Sequence, residues 1–140
     1  MQTADFNNLA LIDAWYEADP AMRIGVTFPY FEATGNESSA LVYFEIEPGH
    51  YLGSHTDSAE EILFILQGSV EASLGDEVGA LEAGQSALIP AMVPHGVRNI
   101  GSETARCLGF FAAAKVVSTF EQPMLPFGQR VLGTPAVPMG

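Results

Sequence analysis

Cysteine occurs once, at Cys107, so no disulfide can form within the chain, and a reducing cytoplasmic setting is expected. Bases are almost as scarce: 5 Lys and Arg stand against 17 Asp and Glu, a net charge of −12. Such a surface repels phosphate backbones and anionic lipid, which argues against nucleic-acid and membrane partners. No stretch approaches the roughly 20 consecutive apolar residues that a membrane-spanning helix needs. The first residues, MQTADFNNLALIDAWYEADP, lack a basic segment and carry acids throughout, so no signal peptide is expected. No long-period repeat and no low-complexity tract interrupts the chain. With 48% hydrophobic residues over 140 positions, a single globular domain over 1–140 is expected.

The charge is uneven. Up to Val97 there are 15 acids and one Arg, and from Arg98 onward two acids and four bases. Apolar residues at 6, 9, 12, 15 and 16 have the spacing of one helix face, so a short helix is expected over about 5–18, with Asp5 as its cap. The period then changes to two. Short strands are expected over about 40–49, 61–67, 69–74, 77–81, 86–89, 95–99 and 104–114, separated by glycine-bearing turns. That pattern defines an all-β sandwich or small barrel with its core over about 40–114. If Glu61, Leu63 and Ile65 face inward, Ile62, Phe64 and Leu66 face outward and need cover from the N-terminal helix or a second subunit. Residues 115–140 hold four prolines and read as an irregular arm packed on its own barrel or on a partner. A homodimer is expected on these two grounds.

Histidine is rare as well, with three in the chain, and this makes the placing of two of them informative. GHYLGSHTDSAEEILFILQG sets His55 and Asp57 two apart, then Glu61, then Gly68. Positions i and i+2 of a strand share a face, so His55 and Asp57 project together. GQSALIPAMVPHGVRN later supplies His95. Two imidazoles with one or two carboxylates form a common transition-metal set, suited to Fe(II), Mn(II), Ni(II) or Zn(II). His50 reads as a surface residue, Arg98 as a partner of the acidic surface, Cys107 as core, and Pro90 and Asn99 as structural.

Together the two stretches resemble the paired motifs of the cupin superfamily, G-x5-H-x-H-x3,4-E-x6-G and G-x5-P-x-G-x2-H-x3-N. Each motif matches at four of five defined positions; Asp57 stands where a second histidine is expected, and Met92 where a glycine is. The resemblance implies a double-stranded β-helix (jelly-roll) barrel with a divalent metal inside, Fe(II) foremost. It implies His55, Asp57, Glu61 and His95 as the metal-facing residues, with Asp57 and Glu61 as catalytic groups. Phe44, Ile46, Leu63, Ile65, Val97 and Phe110 or Phe111 are the candidate lining. An apolar, aromatic lining with few bases suits a small phenolic or enolic substrate. The expected activity is that of a metal-dependent dioxygenase similar to the quercetin dioxygenase-like cupins. The alternatives are a metal-dependent isomerase, cyclase or lyase, or a small-molecule-binding protein without chemistry.

Overall fold

The structure is a computed structural model that describes residues 1–135. Twelve strands follow one another along the chain. They are β1 (Ile12–Tyr16), β2 (Arg23–Tyr30), β3 (Ala40–Ile46), β4 (Tyr51–Asp57), β5 (Glu61–Gln67) and β6 (Ser69–Leu74). Then come β7 (Glu77–Glu82), β8 (Ser86–Ile89), β9 (His95–Asn99), β10 (Ala105–Phe111), β11 (Val117–Leu125) and β12 (Gln129–Gly133). All of these strand pairings are antiparallel, in the order β7-β6-β9-β4-β11-β1-β2-β3-β10-β5-β8, with β12 on β11. The sheet curls into a nearly closed barrel around one apolar core. No helix among the described residues is long and apolar enough to cross a membrane.

Alternation decides what faces the interior. On β5, Glu61, Leu63 and Ile65 are buried, whereas Ile62, Phe64 and Leu66 are exposed. On β10, Ala105, Cys107, Gly109 and Phe111 turn inward. The motif glycines Gly49, Gly68 and Gly84 all take positive φ, at 84°, 88° and 90°, which L side chains adopt at a cost. They form the bends between strands that the motif spacing implies. Asn99 fixes another: its Nδ2 donates to Ile46 O at 2.8 Å and Glu103 O at 2.9 Å, and its Oδ1 accepts from Gly101 N.

The chain ends depart from the sequence-based expectation. Residues 5–18 form no helix. Asp5 caps a turn through Asn7 N, and residues 12–16 are β1, paired to β2 from Ile12↔Val26 to Trp15↔Arg23. The segment IDAWY alternates as well as it spirals: Ala14 and Tyr16 are buried, and Asp13 pairs with Arg23 on the outer face. The hydrogen bonds offered by β2 decide the matter in favour of the strand. The expected irregular arm is likewise ordered over its described part. β11 pairs with β4, β1 and β12 of its own barrel, and residues 136–140 lie outside the described residues.

Candidate metal centre

His55 and His95 are direct partners across the β4–β9 ladder, with ring centroids 4.2 Å apart. The register slips between Leu52 and His55, where β4 carries one residue more than β9. That bulge lets Leu52 and His55 both face the interior despite their opposite parity. Asp57 follows His55 on the same face, and β5 brings Glu61. His55, Asp57 and His95 each offer a ligand atom, and these atoms all lie within 4.8 Å of one another. Glu61 stands one step out, with Oε1 3.3 Å from His95 Nε2. All four side chains are buried. Gly109 on β10 makes room for Glu61, because a Cβ there would meet Glu61 Oε2 at 2.0 Å.

The rings are aimed by the backbone. His55 Nδ1 donates to Gly53 O at 2.8 Å and His95 Nδ1 to Val93 O at 2.9 Å. This leaves each Nε2 lone pair turned toward the cluster, the usual outer support of a metal-ligating histidine. His95 Nε2 and Asp57 Oδ2 approach to 3.0 Å, yet at angles that leave both atoms without a hydrogen bond. Buried polar atoms seldom go unpartnered, and two converging here suit a cation between them.

The titration of the cluster agrees with its geometry. Burial drives the His55 pKa down to about 4, against the pull of the Asp57 charge. Burial also opposes charge on His95, but the Asp57 and Glu61 carboxylates outweigh it and push His95 up to about 10. Burial raises Glu61 above the usual carboxylate range. Burial acts the same way on Asp57, where the two imidazoles prevail and hold it below its ordinary value.

The cluster forms one wall of a cavity of about 490 Å³. Phe44, Leu63, Val97 and Phe111 line it as the sequence suggests; Ile46 and Ile65 are buried but off the wall, and Phe110 faces outward. The sequence reading missed the contribution of β1, β2 and the C-terminal strands. Ile12, Ile24 and Phe28 line one side, and Phe120, Met124, Phe127 and Leu132 another. Phe120 stacks on His55, centroids 4.6 Å apart and planes at 16°. Ser118 donates to Asp57 Oδ1 at 2.5 Å. The local pattern gave no signal for this strand, since the apolar Val117 and Phe120 stand three apart with Ser118 and Thr119 between them.

Cys107 is core, and burial pushes its thiol up to about 12. Arg98 differs from expectation: it lies over the Tyr51 ring, 4.6 Å from the centroid, and makes no ion pair among the described residues.

A nearly closed antiparallel barrel with a buried histidine–carboxylate cluster facing an internal cavity defines a class of small β-barrel with a metal-type site. The match to the cupin domain family over residues 42–111, half of the chain, makes the assignment specific: the chain belongs to the cupin family. It is 34% identical over 62 residues to "Polyketide synthase CurC" of Streptomyces cyaneus, a match covering 44% of this chain and 40% of that protein. Among solved structures, the Lactobacillus farciminis oxalate decarboxylase formate complex aligns with a TM-score of 0.68 at 20% identity, over 79% of this chain and 33% of the other. A putative sugar phosphate isomerase from Acidithiobacillus ferrooxidans aligns with a TM-score of 0.65 at 19% identity, over 81% and 75%. The chain thus spans two fifths of the curated relative and a third of the decarboxylase. The structural likenesses establish the fold.

Proposed function

We propose that the chain is a metal-dependent cupin enzyme, a dioxygenase acting on a small phenolic or enolic compound. The observation that carries this reading is the convergence of His55, Asp57 and His95 within 4.8 Å. Two imidazoles and one carboxylate form the ligand set of non-haem Fe(II) oxygenases, which leaves coordination positions open. Fe(II) is the preferred ion, ahead of Mn(II), Ni(II) and Zn(II). When bound, the metal supplies Lewis acidity toward a substrate oxygen and redox capacity toward O2.

The chain's own groups do the rest. His55, Asp57 and His95 would hold the ion. Glu61, whose pKa burial raises and whose Oε1 lies 3.3 Å from His95 Nε2, would carry a proton beside the ion. The wall opposite is apolar, and no Lys or Arg lines the cavity among the described residues. An oxalate dianion or a sugar phosphate, the compounds in the names of the structural neighbours, would find no Lys or Arg there, and no basic side chain beyond the two histidines of the cluster. A neutral ring or enol would be dehydrated by Phe28, Phe44 and Phe111 and turned with its oxygen toward the cluster.

A second reading, a cyclase, lyase or isomerase that moves protons without O2, is favoured by the similarity to a polyketide synthase component. Polyketide chains are rich in enolisable carbonyls, and Asp57 and Glu61 are two buried carboxyl groups of opposite tendency. An oxygen electrode separates the two. Iron-loaded protein given phenolic and enolic compounds is expected to consume O2 as substrate disappears, and His95→Ala is expected to lose both metal and activity. Conversion without O2 uptake favours the second reading. Full metal content in His95→Ala overturns the site, and tight binding without turnover of any compound points to a binding protein.

A further inference from the structure

We infer that Ser118 is the positioning residue that makes Asp57 a one-oxygen metal ligand. The inference rests on the metal site proposed above and adds a group from the C-terminal strand. Ser118 sits directly opposite Asp57 in the β11–β4 ladder, 61 residues further along the chain. Directly paired residues hold their Cβ atoms about 5 Å apart, a distance at which a serine hydroxyl reaches a carboxylate. Ser118 Oγ donates to Asp57 Oδ1 at 2.5 Å. The other oxygen, Oδ2, has no hydrogen bond and lies 3.0 Å from His95 Nε2 and 3.6 Å from His55 Nε2. One oxygen is thus tethered and the other is aimed into the cluster.

The need for this hydroxyl follows from the residue type at position 57. An imidazole ligand is aimed by giving its second N–H to a carbonyl, as His55 and His95 do with Gly53 O and Val93 O. An ionised carboxylate has no proton to give. It can be aimed only by a donor, and Ser118 is that donor. Without it Asp57 is free to turn about its last torsion or to offer both oxygens to the ion. Asp57 and Ser118 therefore act as a pair, doing together what a histidine and a backbone carbonyl do elsewhere in the site.

The test is Mn(II) binding by the full chain, followed by dye competition and by the electron paramagnetic resonance of the bound ion. Ser118→Ala is expected to weaken Mn(II) affinity about 10- to 100-fold and to alter the spectrum of what still binds. Ser118→Thr, which keeps the hydroxyl, is expected to restore both. Parent-like affinity and spectrum in Ser118→Ala, with Asp57→Ala weakened, overturns the role of Ser118 and leaves the site reading intact. Parent-like binding by Asp57→Ala overturns the site reading itself. Loss in Ser118→Ala that Thr fails to restore shows a packing role and also overturns the proposal.

Discussion

Met92 holds a φ of 65°, the one positive value at a non-glycine position among the described residues. Its side chain is 61% exposed, so packing does not compensate the strain. Its N–H donates to Asp57 O at 2.8 Å, tying the turn to the strand that carries the candidate ligands. The left-handed region costs a non-glycine residue about 1–2 kcal/mol, and added chain freedom in the unfolded state returns part of that gain. Met92→Gly is therefore expected to raise stability by about 1 kcal/mol, seen as a melting temperature higher by roughly 3–5 °C, with metal affinity unchanged. A fall in melting temperature would show that Met92 makes contacts worth more than its strain. Position 92 is also where sequence and structure agree in detail, since the cupin pattern expects glycine there. His55 and Asp57 were legible together because their spacing encodes strand parity, while Glu61 and His95, on β5 and β9, were placed beside them by the cupin motifs. Gly109 was not, because its role is to leave space for Glu61, and an absent side chain leaves no pattern.

At the scale of elements, β11 unites the two ends of the site. Phe120, paired with His55, is 7% exposed and stacks on its ring. Phe120→Ala is expected to cost about 3–5 kcal/mol in urea unfolding, because it removes the stack on His55 and enlarges the cavity that Phe120 lines. It is also expected to weaken metal binding, since the His55 ring loses the surface that fixes its plane. Undiminished metal affinity would show that the Gly53 carbonyl alone orients the ring. Strands β5 to β10 could be placed from the sequence because glycine turns punctuate them. β11 could not, because its pairing with β12 breaks between Thr119 and Met124 and a proline lies within it. β1 was lost to coincidence: apolar residues at 12, 15 and 16 fit a helix, whereas 12, 14 and 16 fit a strand. β2, RIGVTFPY, was hidden by its own glycine and proline.

On the scale of the whole molecule, the outer face of β8, β5 and β10 is apolar. Ile62, Phe64, Leu66 and Phe110 are each 36–42% exposed, and Leu88, opposite Ile62, is 57% exposed. Monomers seldom leave such a patch open. The N-terminal segment packs at the margin of this face, with Phe6 on Tyr43 of β3 at a centroid distance of 5.8 Å and Phe6 O accepting from Arg106 of β10 at 2.7 Å. In a chain of net charge −12, a face without acids is where two copies can meet without repulsion. A homodimer through this face is expected, with Phe64→Glu shifting it to monomer in light scattering. A parent chain that stays monomeric at micromolar concentration would rule it out.

The two rings at the centre are steered by backbone carbonyls two residues earlier in the chain, Gly53 O and Val93 O, and that bears on how a metal would enter the site. A pocket assembled in advance does not select its occupant by refolding around it. Ions of similar size and preference can then exchange in and out by mass action, following availability as much as intrinsic affinity. The identity of the bound ion would then be partly a property of the growth medium. One polypeptide, stripped and reloaded with different metals in turn, would yield a series of proteins that differ by a single atom.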